Sequence, residues 1–206
     1  MIEEIAARLR ETLEAKNAAR EIALKTCREI VRASACSIRA AHRREFGEAE
    51  ELASAARALG ERLREALADH PDLLYAGYVH DALKEYVEAE CVLALLRSRP
   101  WPSPDALGVE PAAYLNGLAE AGSEGRRYVL DRLREGDLEE GNRVLAAMDD
   151  IYHELVTFDF PDAITGGLRR TTDAFRAVLE RTRGDLTLTW RQISLERALR
   201  ASERME

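Results

Sequence analysis

Residues 2 to 45 contain neither proline nor glycine, and their apolar positions recur at helical spacing. Ile2, Ile5, Leu9 and Leu13 form one stripe. Ile22, Cys27, Ile30, Ala35 and Ile38 continue it after a slight phase shift. The pattern predicts one very long helix, or two collinear ones, with a turn at Gly47. A second helix is expected over about 48–68, with Leu52, Ala56, Leu59 and Leu63 inward. Pro71 in "DHPD" (69–72) ends it, because the residue before a proline is disfavoured in the α region. Further helices are predicted over about 72–98, 110–136, 137–158, 168–183 and 188–200. "SRPWPSP" (98–104) is a stiff connection between helices, and "FDFPDAITGG" (158–167) is a second connection with a short turn. Gly184 in "RGD" is expected to cap the helix before it. No repeat and no domain boundary emerges. The expectation is one all-α domain over 1–206, a bundle of about seven helices with a long N-terminal helix.

Composition agrees, since Ala, Leu, Glu and Arg dominate and are strong helix formers. The net charge of −8 argues against a protein that coats nucleic acid with a uniformly basic surface. It leaves room for a local basic face. Cys27, Cys36 and Cys91 form no CxxC pair and are odd in number, so they read as small buried residues in a reducing compartment. The N-terminal stretch is charged and amphipathic, unlike a secretory leader. No apolar run approaches the roughly 18 residues of a membrane span. A cytoplasmic protein with no membrane contact is expected.

Candidate chemistry begins at "KEYVEAEC" (84–91). At 100° per residue, Tyr78, Asp81, Glu85, Glu88, Val92 and Leu95 share one stripe. Leu83, Val87 and Ala94 supply a separate core face, and Glu90 lies off the acidic stripe. The plain reading is a solvated face neutralised by Lys84 and Arg97. A second observation competes with it. In "NRVLAAMDDIYHELVTF", Val144, Met148, Ile151 and Leu155 form a core stripe, while Asp150, His153, Glu154 and Thr157 form another. If that face opposed the acidic stripe, Glu85, Glu88, Asp150 and Glu154 would converge. Clustered carboxylates repel and need a counter-charge. An oxygen-rich set suits a hard divalent cation, Mg²⁺ or Mn²⁺. The spacing alone is weakly specific in a chain with 38 acidic residues. A di-iron bundle needs Glu-x-x-His on two helices. Here only Asp150-x-x-His153 approaches it, so that alternative is disfavoured. No Walker loop, nucleophile elbow or dinucleotide fingerprint occurs.

Several stretches together resemble the translin and Trax family. "REIALKTCREIVRASACSIRAAHR" (20–43) is similar to its opening helix, and "KEYVEAE" to the Gln-Glu-Tyr-Val-Glu-Ala run of Trax. "LGVEPAAYLNGLAEAGSEGRRYVLDRLREGD" (107–137) follows the family's central helix, and "RGD" its closing Arg-Gly. "EYVEA" and "YLNGLAEAG" are the most specific parts. Gly125 stands where the family commonly has Leu, which is expected to loosen that helix.

The resemblance implies a function. Translin subunits bind nucleic acid without cutting it, whereas Trax subunits carry paired glutamates and catalyse RNA cleavage. Glu85 and Glu88 put this chain on the Trax-like side. Its single-gene members form closed homo-oligomers, octamers by resemblance, with RNA inside. The family's third catalytic carboxylate follows a Tyr, and the nearest match, "IYHEL", falls on His153. Glu154 or Asp150 is therefore the expected third carboxylate, with His153 as ligand or proton carrier. Arg39, His42, Arg43 and Arg44 form one candidate RNA-binding cluster, and Arg126 and Arg127 another. A solvated helix end, where Arg also suits the helix dipole, explains "HRR" as well. Leu188, Trp190, Ile193, Leu195 and Leu199 suit a subunit interface or ordinary packing. The expected activity is Mg²⁺-dependent (Mn²⁺ an alternative) endonucleolytic cleavage of single-stranded RNA. The competing reading is a translin-like binder of single-stranded RNA or DNA without turnover. A purely structural helical oligomer is the third class, and it leaves the acids unexplained.

Overall fold

A computed structural model describes residues 1–203, and all regular structure among them is helical. Helix α1 (Ile2–His42) is continuous, as its lack of Pro and Gly predicts. Glu3 and Glu4 in its first turn and Arg39 in its last suit the helix dipole. Its buried residues all lie in its second half. Ala23, Cys27, Ile30, Ser34, Ser37, Ile38 and Ala41 are buried, while Ile2, Ile5, Leu9 and Leu13 are exposed. The small residues of that buried track let α2 (Phe46–Ala66) lie close, through Ala49, Ala53, Ala56 and Gly60. The Ser37 hydroxyl donates across the contact to the Ala49 carbonyl at 2.7 Å. The reversal between these helices is made by Arg44, at φ 63°, and not by Gly47, which lies inside α2.

A single turn, α3 (Pro71–Leu74), uses Pro71 at its start, where a missing N–H costs nothing. Helix α4 (Gly77–Arg97) is the central element. From Tyr86 to Leu96 every residue except half-buried Glu90 is buried. It packs on α1 and α2 on one side and on α6 (Pro111–Arg134) on the other. A four-residue turn, α5 (Pro104–Leu107), lies between them, and the Ser103 hydroxyl accepts the Ala106 N–H at its start. Helix α7 (Leu138–Leu155) is capped by Asp137, which accepts the Glu140 N–H at 3.1 Å. It packs mainly on α6 and on α9 (Leu168–Glu203). The short α8 (Asp162–Thr165) sits in the connection between α7 and α9. Among the described residues no helix is long and apolar enough to cross a membrane.

Two further glycine expectations change. Gly125 does not loosen α6. A Cβ there would meet Leu95 and Met148 at 3.1 Å, so the glycine admits tight packing. Gly184 does not end a helix either. The predicted sixth and seventh helices are one, α9, because Phe175, Leu179, Thr182 and Leu186 carry a buried stripe through it. Gly184 has no positive φ and nothing within 4 Å of a built Cβ. Gly184→Ala is therefore expected to stabilise the protein by about 1 kcal/mol and raise the Tm by roughly 3 °C. A thermal melt checks this. A lower Tm would mean that the helix breaks at 184.

Candidate metal centre

The close approach of α4 and α6 builds the site. Ala113, Gly117, Glu120 and Glu124 follow one face of α6, small residues first and acids after. At Gly117 a Cβ would lie 2.7 Å from the Lys84 carbonyl oxygen and 2.8 Å from the Val87 Cβ. Only glycine allows the two backbones to meet there. One turn further along α6, Glu120 is brought beside Glu85 and Glu88 of α4. Each of these three glutamates offers a carboxylate oxygen, and the three oxygens lie within 4.8 Å of one another.

The electrostatics follow from burial and like charge. Glu88 is 9% exposed. Burial, and then the charges of Glu120, Glu85 and Glu124, push its carboxyl up to about 8. Burial also raises Glu85, with Glu120 adding to the effect against the pull of Lys84. Lys84 is the local counter-ion, with its Nζ 2.6 Å from Glu120 and 3.7 Å from Glu85. Burial alone would lower the Lys84 ammonium's pKa, but its bond to Glu120 and the nearby carboxylates outweigh that and raise it. A second layer lies one turn beyond. His42 of α1 donates from Nε2 to Glu124 Oε2 at 2.7 Å, with its side chain almost wholly buried. That bond holds the Glu124 carboxyl below its ordinary range. Three carboxylate oxygens around an incompletely neutralised centre are the donor set that a hard divalent cation prefers.

Glu85 and Glu88 thus stand where the acidic stripe of their helix put them. Glu120 was not among the expected residues. Its signal was its register after the small residues Ala113 and Gly117 within "YLNGLAEAG". Asp150, His153 and Glu154 lie on α7, are exposed, and do not join the three-glutamate group. The reason is packing: α7 lies mainly against α6 and α9, so its acidic stripe does not face α4 as the convergence required. The expected basic residues divide. His42 turns inward to Glu124. Arg39 and Arg127 are exposed. Arg43 pairs with Glu45 and Glu48, Arg44 with Glu135, and Arg126 with Asp185.

Comparison with solved structures gives close likenesses. The chain is similar to AfC3PO, solved alone and as a duplex RNA complex, with a TM-score of 0.84 and 37% identity in both cases. The match covers 89% of this chain and 95% or 96% of the other. It is also similar to apo-NeC3PO, at a TM-score of 0.80 over 92% of this chain and 98% of that one, where 20% identity supports the fold alone. An uncharacterized protein of Methanocaldococcus jannaschii is 30% identical over 188 residues, 90% of this chain and 82% of the relative. No family model matches the chain. A helical order with this long first helix, and this identity to AfC3PO over nine-tenths of its length, make the chain a member of the translin/Trax-type C3PO proteins.

Proposed function

We propose that the protein is a metal-dependent endoribonuclease that cleaves single-stranded RNA within a closed homo-oligomer. The observation that carries this reading is the convergence of Glu85, Glu88 and Glu120 within 4.8 Å on a C3PO fold. In this reading the three glutamates hold Mg²⁺ or Mn²⁺, and Glu120 takes the third position expected of Asp150 or Glu154. When bound, such an ion supplies an activated water and charge stabilisation at the scissile phosphate. Glu88 would have to be ionised to serve as a ligand, so the reading implies that binding is favoured as pH rises. Glu124, kept anionic by His42, orients the attacking group at the edge of the site. Asp150, His153 and Glu154, one helix away, are left to contact substrate or a neighbouring subunit.

Arg39 and Arg127 offer exposed guanidinium groups for phosphates, with Arg43, Arg44 and Arg126 available by exchanging their acidic partners. Such contacts are tolerant of sequence and sensitive to salt. Oligomerisation is supported by the apolar residues left uncovered at two helix ends. These are Ile2, Ile5, Leu9 and Leu13 on α1, and Leu188, Trp190, Leu195 and Leu199 on α9. Binding without turnover is the alternative, and one observation favours it: Lys84 already offsets part of the acidic charge.

The test uses labelled single-stranded RNA, and the same sequence as a duplex, with Mg²⁺, Mn²⁺ or EDTA. Products are expected from the single strand with either metal and not with EDTA. The double variant Glu85→Gln/Glu88→Gln is expected to bind RNA without cutting it. Equal cleavage by the wild type and the double variant would overturn the assignment of the site. Binding with no products under any metal would establish the alternative.

A further inference from the structure

Lys84 occupies an unusual place for a lysine. Its backbone carbonyl lies at a close approach of α4 and α6, opposite Gly117. The Lys84 peptide is fixed within its helix, so the side chain is the part that can rearrange. That side chain is 19% exposed and runs into the glutamate cluster, reaching Glu120 at 2.6 Å and Glu85 at 3.7 Å. Two of the three proposed cation ligands thus already share one ammonium. Ammonium and a divalent cation cannot both occupy that position. Two positive charges a few ångströms apart repel strongly, and the half-buried setting leaves the repulsion poorly screened. Lysine is suited to yielding, as a point charge on a flexible stem with no fixed fork of donors.

We infer that Lys84 is a tethered competitor for the metal centre, its ammonium holding Glu120 until a divalent cation displaces it and thereby setting the metal affinity. This rests on the reading of Glu85, Glu88 and Glu120 as cation ligands. The lysine has two effects. It compensates the clustered carboxylates when no metal is bound, so that the fold tolerates three acids at one point. It also raises the cation concentration needed to fill the site, because the Lys84–Glu120 bond must break first. A lysine that merely braced α4 against α6 would act in the opposite sense, since its loss would loosen the cluster and weaken cation binding.

The experiment is a Mn²⁺ titration of the full-length protein, followed by electron paramagnetic resonance and calorimetry without RNA. The wild type is compared with Lys84→Gln and Lys84→Arg. Lys84→Gln removes the charge while keeping most of the length and is expected to bind Mn²⁺ about tenfold more tightly. Lys84→Arg keeps a cation in place, with a fork that holds a carboxylate at least as firmly, and is expected to bind Mn²⁺ no more tightly than the wild type. Metal-free melts add an independent readout. Lys84→Gln should melt lower than the wild type without metal and gain more from added Mn²⁺. Equal or weaker Mn²⁺ binding by Lys84→Gln, with the wild type still binding, overturns the role of Lys84 and leaves the centre standing. No binding by any of the three overturns the metal centre and this inference with it.

Discussion

Glu88→Gln is expected to stabilise the metal-free protein at alkaline pH while reducing metal-dependent RNA cleavage by on the order of 10²–10³. The stability argument starts from burial. The folded-state pKa of Glu88 is about 8, against an ordinary value of 4.5. Between those two values the folded protein holds a proton that the unfolded chain has released. Stability therefore falls as pH rises through the window, and the loss is complete above the folded pKa. Glutamine carries no proton to lose and keeps the shape, so the variant lacks this term. Removing a buried, poorly compensated charge is expected to gain about 2 kcal/mol at pH 8.5, or roughly 5 °C in Tm. At pH 4.5 the two proteins should melt together. The cleavage argument runs the other way, since the same carboxylate would be the most buried ligand of the cation. Melts of both proteins in EDTA at pH 4.5 and 8.5, with cleavage assays in Mg²⁺, check both halves. A Tm difference that does not change with pH would sink the assignment of a buried, protonated Glu88. Added Mg²⁺ at pH 8.5 should raise the wild-type Tm more than that of the variant.

The same residues show how far a sequence reading reaches. Periodicity identified a face of α4 and set Glu85 and Glu88 on it, because a helix carries its own geometry. It could not say which helix that face meets. The acidic stripe of α7 had the right chemistry, yet α7 packs mainly on α6 and α9. Glu120 had the right partner, and its evidence lay in the glycine three residues before it. A small residue inside a helix reads locally as a weakness. Only a neighbouring backbone reveals it as a point of approach. Gly47 and Gly184 show the converse, since both lie within helices where a turn and an end were expected. The unbroken first helix and the helical run around "EYVEA" were legible because they rest on local pattern. The third carboxylate and the inward turn of His42 were not, because they depend on contacts between residues far apart in the chain.

Gly117→Ala is the substitution that tests this architecture. One methyl group at this position meets the Lys84 carbonyl at 2.7 Å and Val87 at 2.8 Å. The first of these is backbone in the middle of a buried helix and cannot swing aside. The helices must therefore move apart, at a cost of about 1–3 kcal/mol that the better helix propensity of alanine only partly offsets. A net loss of about 1–2 kcal/mol is expected, seen as a Tm lower by several degrees. The functional consequence is larger. Glu120 lies one turn from the wedge, on the helix that is displaced, while Glu85 and Glu88 stay on the other. A shift approaching 1 Å in one member of a catalytic set costs about 10²-fold in rate. Cleavage should therefore fall by about that factor, and Mn²⁺ affinity should weaken with it. Gly184→Ala is the matched control, being the same chemical change in a helix where a Cβ meets nothing within 4 Å. If Gly117→Ala behaved like Gly184→Ala, stabilised and fully active, close approach at Gly117 would not be what holds Glu120 in the cluster. The opposite signs expected for these two substitutions follow from their neighbours alone, because propensity gives both the same gain.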